Sequence, residues 1–365
     1  MPLKIQSNIR DYSVHFSEST DFFDNFNKYE PLCYTIDETV WNLYRDTLFK
    51  TIAESERIIV PIDEAVKNLS SVQMLYDQLT QYSAKRNLTM ISVGGGILQD
   101  ITGFVASTLY RGIHWVLVPT TLLAQADSCI GSKTSLNYKG FKNLIGTFYP
   151  PSEIFICPEF LKTQKDLDFY SGLGEVVKLH IMDGISKTKE LLDIFPRILE
   201  KESASLLKAI KESLLIKKNY ISDDEFDTGR RNLLNFGHCF GHAIETTSQF
   251  EIPHGQAVVL GILLANIVAM NRGLLSHDTH MFVAEKLLLP SLIIKPKPVH
   301  FDPEHIIDAM KKDKKRTGEG LALVMMNNDF NIFKVNDLTS LEAATALTDV
   351  MIYLEKSNLS KAQQN

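Results

Sequence analysis

Met90-Ile91-Ser92-Val93-Gly94-Gly95-Gly96-Ile97-Leu98-Gln99-Asp100-Ile101-Thr102-Gly103 reads as a short buried strand, three glycines and the start of a helix. Three other short runs share its β-branched character and its Gly, Pro or Asp borders: Ile58-Ile59-Val60-Pro61, Trp115-Val116-Leu117-Val118-Pro119 and Ile154-Phe155-Ile156-Cys157-Pro158. Such runs are the mark of parallel strands covered on both faces. Between the first two strands, residues 70–86 carry Val72, Leu75 and Leu79 at helical spacing. The N-terminal part is therefore expected to be α/β. Beyond residue 164 strand signals nearly vanish, and helical patterns run over 173–182, 206–220, 232–247, 256–271 and 303–312, with one late strand over 322–326. The spacing predicts an α/β domain over 1–164 and a mainly helical domain over 165–365. The acidic connector 223–229 leads into the 232–247 helix, with Asp227 or Thr228 as its expected cap, and the polar end 357–365 is expected to fray.

The 365-residue chain is long enough for two ordinary cores. Its net charge of −6 gives no global attraction to nucleic acid or anionic lipid, so an anionic ligand has to be held by a local basic cluster. Four scattered cysteines, with no CxxC spacing, fit a reducing cytoplasm rather than a disulfide framework or cysteine zinc site. The first residues lack the apolar core of a signal peptide. The most apolar stretch, 257–270, is short and interrupted by Asn266, and reads as a buried helix rather than a membrane span.

Glycines between strand and helix let backbone N–H groups approach a phosphate. Gln99 stands where the dinucleotide fingerprint needs glycine, so on the glycines alone a tight turn and a nucleotide loop stand equal. Arg111, Lys133 and Lys142 sit among Gly, Thr and apolar residues rather than in the Glu/Lys alternation of an exposed face, and would suit phosphate oxygens, with Asn143 as a neutral donor. Glu175 and Lys178, at i and i+3, allow a surface ion pair or a carboxylate ligand beside a functional lysine. His180 points elsewhere and reads as structural. His238 and His242 are one helical turn apart and His254 follows in Pro253-His254-Gly255, which could supply most of a divalent metal site or be ordinary helix-face histidines. Arg231 and Asn235 precede them at the same spacing; Arg, Asn, His and His on one stripe is too polar for a core and too regular for an arbitrary surface.

In this order, the glycine triplet with Asp100, Arg111-Gly112-Ile113, Pro119-Thr120-Thr121-Leu122-Leu123-Ala124-Gln125 with Asp127, Lys142-Asn143-Leu144-Ile145-Gly146, Glu175 with Lys178, the RxxxNxGHxxxH run and the late His254-Gly255 resemble the 3-dehydroquinate synthase family of sugar phosphate cyclases. The likeness extends from about Asp37 to Val324. It implies an N-terminal Rossmann-like nucleotide-binding domain followed by a helical metal-binding domain. The resemblance makes Glu175, His238 and His254 zinc (or cobalt) ligands and His242 a proton acceptor or relay. It places Asp37, Glu64, Lys67, Gly95, Gly96, Asp100, Thr120, Thr121, Lys142 and Thr163 on NAD. It gives the substrate Arg111, Asp127, Lys133, Asn143, Lys178, Lys217, Arg231 and Asn235, with Lys314 or Lys315.

The resemblance also implies the reaction: transient oxidation of one hydroxyl of a seven-carbon keto-acid phosphate, loss of phosphate, return of the hydride, ring opening and intramolecular aldol closure. It implies a homodimer with Arg111 reaching the partner's site. Ser132, Gln99, Gly174 and Gln256 depart from the family's usual residues and bear on substrate choice, whereas Lys217 and Arg231 resemble the family's carboxylate clamp. The favoured substrate is 3-deoxy-arabino-heptulosonate 7-phosphate. The alternatives are cyclases making 2-deoxy-scyllo-inosose, 2-epi-5-epi-valiolone or amino-dehydroquinate, and a glycerol dehydrogenase-type oxidoreductase.

Overall fold

The computed structural model describes residues 1–81, 85–312 and 320–362; Lys314 and Lys315 lie outside the described residues. The chain divides into two compact units, Met1–Gln164 with Arg197–Gly229, and Lys165–Pro196 with Arg230–Asn365. The single boundary expected after residue 164 therefore does not describe the chain fully, because residues 197–229 return to the first unit.

The first unit is built on a seven-stranded sheet. Its strands are β1 (Leu3–Ile5), β2 (Tyr12–Phe16), β3 (Leu32–Asp37), β4 (Arg57–Val60), β5 (Thr89–Gly94) and β6 (His114–Pro119); β7 (Lys133–Tyr138) and β8 (Phe141–Phe148) form a separate hairpin, and β9 (Glu153–Ile156) completes the sheet. The order is β1-β2-β9-β6-β5-β3-β4, parallel except for the β1–β2 pair. Every residue of β5 is buried, as its continuous apolar run predicts for a central parallel strand. One core cluster gathers Phe26, Tyr34, Phe49, Phe155 and Phe160 with the strand residues Ile36, Ile91 and Val116. The unit's helices are α1 (Glu38–Tyr44), α2 (Leu69–Gln81) and α3 (Gly96–Thr108). The β7–β8 hairpin occupies sequence for which no strand was expected; β8 is largely exposed, so it carries no buried alternation to announce it.

The second half of the chain holds α4 (Asp166–Met182), α5 (Ile185–Leu199), α6 (Ser203–Ile221), α7 (His238–Thr247), α8 (His254–Asn271), α9 (His277–Val283), α10 (Pro303–Lys311) and α11 (Ser340–Ala362), with a hairpin of β10 (Leu321–Met326) and β11 (Ile332–Leu338). Of these, α6 belongs to the first unit. By length and composition α8 could cross a membrane, but 83% of it is buried inside the fold, as a core helix is. The helix expected over 232–247 is broken. Arg230–Asn235 is a 3-10 turn, and Gly237 (φ +77°) separates it from α7. A Cβ at Gly237 would press on the Val258 carbonyl of α8, so both the left-handed backbone and the close approach demand glycine there. The expected cap by Asp227 or Thr228 is absent too: Gly237 occupies the cap, while Asp224 accepts from the N–H groups of Thr228 and Gly229 at 2.8 Å each.

Candidate functional site

Parallel α/β sheets bind ligands at the carboxyl ends of their strands. In the first unit Asp37 ends β3, Glu64 and Lys67 follow β4, Gly95 and Gly96 follow β5, Thr120 and Thr121 follow β6, and Thr163 closes the turn after β9. The ten residues expected on NAD thus include eight at one edge of the sheet. Gly95 caps α3 with extended backbone (φ −82°), leaving the helix N-terminus uncovered by any side chain of its own cap. Asp37 already caps α1, accepting from the N–H of Thr39 at 2.7 Å, and Thr163 Oγ1 meets Tyr44 Oη at 2.9 Å.

Asp100, on α3, forms a buried ion pair with Lys67 and accepts from Ser135 N and Oγ at 3.0 Å each. Burial raises the Asp100 pKa, and the Lys67 ammonium and the Ser135 donors oppose that shift. Lys67 Nζ also donates to Asn143 Oδ1 at 2.7 Å. Asn143, expected on the substrate side, is therefore brought onto Lys67 and Ser135. Lys142 lies 3.7 Å from Glu64, a partly exposed pair.

Three expected substrate residues of this unit are held by neighbouring groups. Lys217, 7% exposed, donates to Asp127 Oδ1 at 2.9 Å and to the Asp127 carbonyl at 2.6 Å. Lys133 Nζ meets Asp227 Oδ2 at 2.6 Å. Asp227 was expected only as a helix cap in an acidic connector, and its pairing with Lys133 was not foreseen. Arg111 is exposed at a tight tip where Tyr110 (φ +52°) and Arg111 itself (φ +66°) both take left-handed backbone before Gly112. Two consecutive non-glycine residues in that region are strained, and strain of this kind collects at functional sites.

Ser132, at a usual glycine position, has φ +63°, which explains why glycine suits it. Its Oγ donates to Glu225 Oε1 at 2.9 Å, and Glu225 also accepts from Ser7 Oγ at 2.6 Å and Asn8 N at 2.7 Å. Gln99 and Gln256, read as departures bearing on substrate choice, are structural. Gln99 exchanges hydrogen bonds with the Ser128 carbonyl (2.7 Å) and hydroxyl (3.0 Å). The Gln256 amide donates to the carbonyls of Tyr170 (3.0 Å) and Ser291 (2.8 Å) and accepts from Ile293 N (2.9 Å), a set that a carboxylate could not complete.

In the second unit, α4, α7 and α8 bring four residues together. Glu175 is fully buried on α4; its Oε1 lies 3.5 Å from His238 Nε2 and 3.4 Å from His254 Nε2, and it has no hydrogen-bond partner. Its Oε2 meets Lys178 Nζ at 2.5 Å, and the same ammonium donates to the Leu234 carbonyl at 3.0 Å. Lys178 so ties α4 to the 230–235 turn that carries the buried Arg231 and the half-buried Asn235, whose amide donates to Asn232 O at 2.9 Å. The rings of His238, His242 and His254 cluster, with one donor atom from each lying within 4.8 Å of the others. His242 is the exposed member.

The close approach of α4 and α8 depends on glycine: a Cβ on Gly255 would collide with the Ser171 carbonyl. That contact sets His254, the first residue of α8, opposite Glu175.

His238 Nδ1 donates to the Phe236 carbonyl (3.1 Å) and His254 Nδ1 to Glu245 Oε2 (3.1 Å). Both acceptors are acceptor-only, so both Nδ1 atoms carry the proton and both Nε2 atoms face Glu175. For donor bonds of about 2.1 Å, tetrahedral ligand atoms stand about 3.4 Å apart, which matches the separations of Glu175 Oε1 from the two Nε2 atoms. The orphaned carboxylate oxygen and two oriented imidazoles fit a divalent metal such as zinc.

Burial raises the Glu175 pKa, yet the Lys178 ammonium and the two histidines outweigh it and hold the carboxyl well below the usual carboxylate range. Burial and the nearby Lys178 keep His238 neutral, with its pKa well below the usual value. Burial acts the same way on His254, but the Glu175 and Glu245 carboxylates beside it overcome it and push the pKa up to about 10, so a metal binding at Nε2 would displace a proton. Glu245, three residues after His242, escaped the sequence reading; an acidic residue on a histidine helix was its only signal.

Comparisons with known proteins give the family and the fold. Residues 57–171 match the model for "3-dehydroquinate synthase N-terminal" and residues 172–316 that for "3-dehydroquinate synthase C-terminal". The 3-dehydroquinate synthase of Clostridium tetani is 39% identical over 281 residues, 76% of this chain and 75% of that protein. Among solved structures, a 2-epi-5-epi-valiolone synthase from Streptomyces hygroscopicus subsp. jinggangensis with NAD+ and Zn2+ bound superposes with a TM-score of 0.80 at 24% identity, covering 95% of this chain and 97% of that one. A 2-deoxy-scyllo-inosose synthase complexed with carbaglucose-6-phosphate, NAD+ and Co2+ gives 0.78 at 22% identity, covering 95% and 99%. These two establish the shared fold. Two consecutive family models spanning most of the chain and a relative of this identity and coverage place the protein in the 3-dehydroquinate synthase family.

Proposed function

We propose that the protein is a 3-dehydroquinate synthase, converting 3-deoxy-arabino-heptulosonate 7-phosphate to 3-dehydroquinate and phosphate. The observation that carries this reading is the oriented Glu175–His238–His254 triad in a member of that family. When bound, NAD supplies reversible hydride chemistry with no net redox change, and a divalent metal on Glu175, His238 and His254 supplies a Lewis acid.

The chain's own residues bind, orient and move protons. Lys133, Lys217 and Arg231 offer cationic donors to phosphate and carboxylate oxygens, and Arg231 and Lys217 are held almost fully buried, where such donors bind an anion strongly. Lys178 holds Glu175 ionised, and Asn235 offers a neutral donor. His242, the exposed member beside two partly buried imidazoles, can exchange its ring proton with substrate and solvent. Holding a flexible open-chain acid phosphate in one geometry is itself a large part of the rate. The edge of the first unit that carries Asp37, Gly95, Gly96, Thr120, Thr121 and Thr163 takes the nucleotide, with Glu64, Lys67, Asp100 and Lys142 beside it. The reading includes a homodimer, supported by the strained, exposed Arg111 tip, and a cytoplasmic location, supported by four free thiols.

The test is phosphate release by purified protein supplied with NAD and Zn2+ or Co2+ and, in turn, the seven-carbon keto-acid phosphate and neutral sugar phosphates. Release from the keto-acid phosphate without accumulation of NADH absorbance is expected. Turnover of neutral sugar phosphates alone would assign the chain to another cyclase activity.

A further inference from the structure

We propose that Glu245 is a positioning residue for the metal centre: its carboxylate locks the His254 ring with Nε2 turned toward Glu175. The inference rests on the metal reading above. The two histidines facing Glu175 are held differently. His238 is oriented by a neutral acceptor, the Phe236 carbonyl, and its side chain is 13% exposed. His254 is oriented by a carboxylate, and its side chain is 31% exposed, so packing alone leaves its ring less constrained. Turning that ring over would replace Nε2 by a carbon edge and open the 3.4 Å approach to Glu175 Oε1.

Glu245 is in place to prevent this. It sits on α7, 8% exposed, while His254 begins α8, so one hydrogen bond joins the helix of His238 to the helix of His254. Because a carboxylate only accepts, the Nδ1 proton stays fixed and the Nε2 lone pair is presented. The negative charge also raises the donor strength of the imidazole, as an outer carboxylate does for metal-bound histidine. Glu245 touches no reacting atom in this scheme and acts through His254.

The experiment strips full-length protein of metal, then measures Zn2+ affinity by competition with a chromophoric chelator and records the visible absorption of the Co2+ form. Glu245→Ala is expected to weaken Zn2+ binding about 10- to 100-fold and to alter the Co2+ bands. Glu245→Gln keeps an acceptor without the charge and is expected to fall between. The thermal midpoint of the metal-free variants is expected to match that of the metal-free parent. Unchanged Zn2+ affinity and Co2+ bands in both variants, even with a lowered midpoint, would make Glu245 a packing residue and overturn the proposal. Should Glu245→Ala fail to fold, Glu245→Gln decides by the same readouts. A parent protein that retains neither ion overturns the metal reading itself, a failure read from the parent and not from the variants.

Discussion

His254 Nε2 stands 3.4 Å from Glu175 Oε1, although the two residues are far apart in the chain and on different helices. Glu175 is wholly buried and held ionised by the Lys178 ammonium against its Oε2, while its Oε1 has no hydrogen-bond partner and faces the two imidazoles. Glu175→Ala, His238→Ala and His254→Ala are each expected to lose retained metal, whereas His242→Ala keeps metal and loses turnover. Elemental analysis after gel filtration, beside phosphate-release kinetics, checks this; equal metal loss in all four variants would contradict the separate role of His242.

Gly255→Ala is expected to damage the site without touching a ligand. Its Cβ would meet the Ser171 carbonyl, so α8 has to move from α4, carrying His254 with it. Overpacking of this kind costs about 1–3 kcal/mol. A lowered thermal midpoint together with weaker Zn2+ binding is the expected outcome. A variant as stable and metal-competent as the parent would show that the helices separate freely here.

Lys67→Met leaves Asp100 buried without its ammonium, and breaking a buried pair costs about 3–5 kcal/mol. Lys67→Met/Asp100→Leu removes both charges and is expected to recover much of that stability. NAD binding, measured by calorimetry, is expected to stay weak in both. Recovery of NAD affinity in the double variant would reduce the pair to a scaffold element.

Glu225 gives a pH dependence whose sign is fixed. Burial raises its pKa, but donors from Ser7, Asn8 and Ser132 outweigh burial and lower it. A carboxyl whose folded pKa is depressed stabilises fully above its unfolded value, about 4.3, and loses that stabilisation as pH falls through the folded value. Glu225→Gln lacks this titration. The parent's advantage in thermal midpoint over Glu225→Gln is therefore expected at pH 7 and to shrink below about pH 4; an advantage constant across that range would rule the mechanism out.

The sequence made four of the parallel strands legible because each is a continuous β-branched run with clear borders. β3 escaped notice for a physical reason. Asp37 both ends the strand and caps α1, so no glycine or proline separates the two elements. The β7–β8 hairpin escaped because exposed strands need no apolar alternation.

In the site, spacing pointed to His238 and His242 as a pair on one helix, and that helix exists. The stripe did not continue back to Arg231 and Asn235, because Gly237 breaks the chain between them. Motif order placed Glu175 with the histidines, but only the glycine contact between α4 and α8 shows how it gets there. Gln99 and Gln256 looked like specificity changes, and their amides are spent on backbone carbonyls, which no spacing rule could reveal.

The return of residues 197–229 to the first unit has a consequence for how the chain is made. Asp127 waits for Lys217, and Ser132 waits for Glu225. During synthesis from the N-terminus, the nucleotide half cannot close these contacts until residue 229 has left the ribosome. By then α4, which belongs to the other half, has already emerged. The two halves are thus interleaved in time as well as in sequence, and a gene cut after residue 164 would encode an unfinished fold rather than a module.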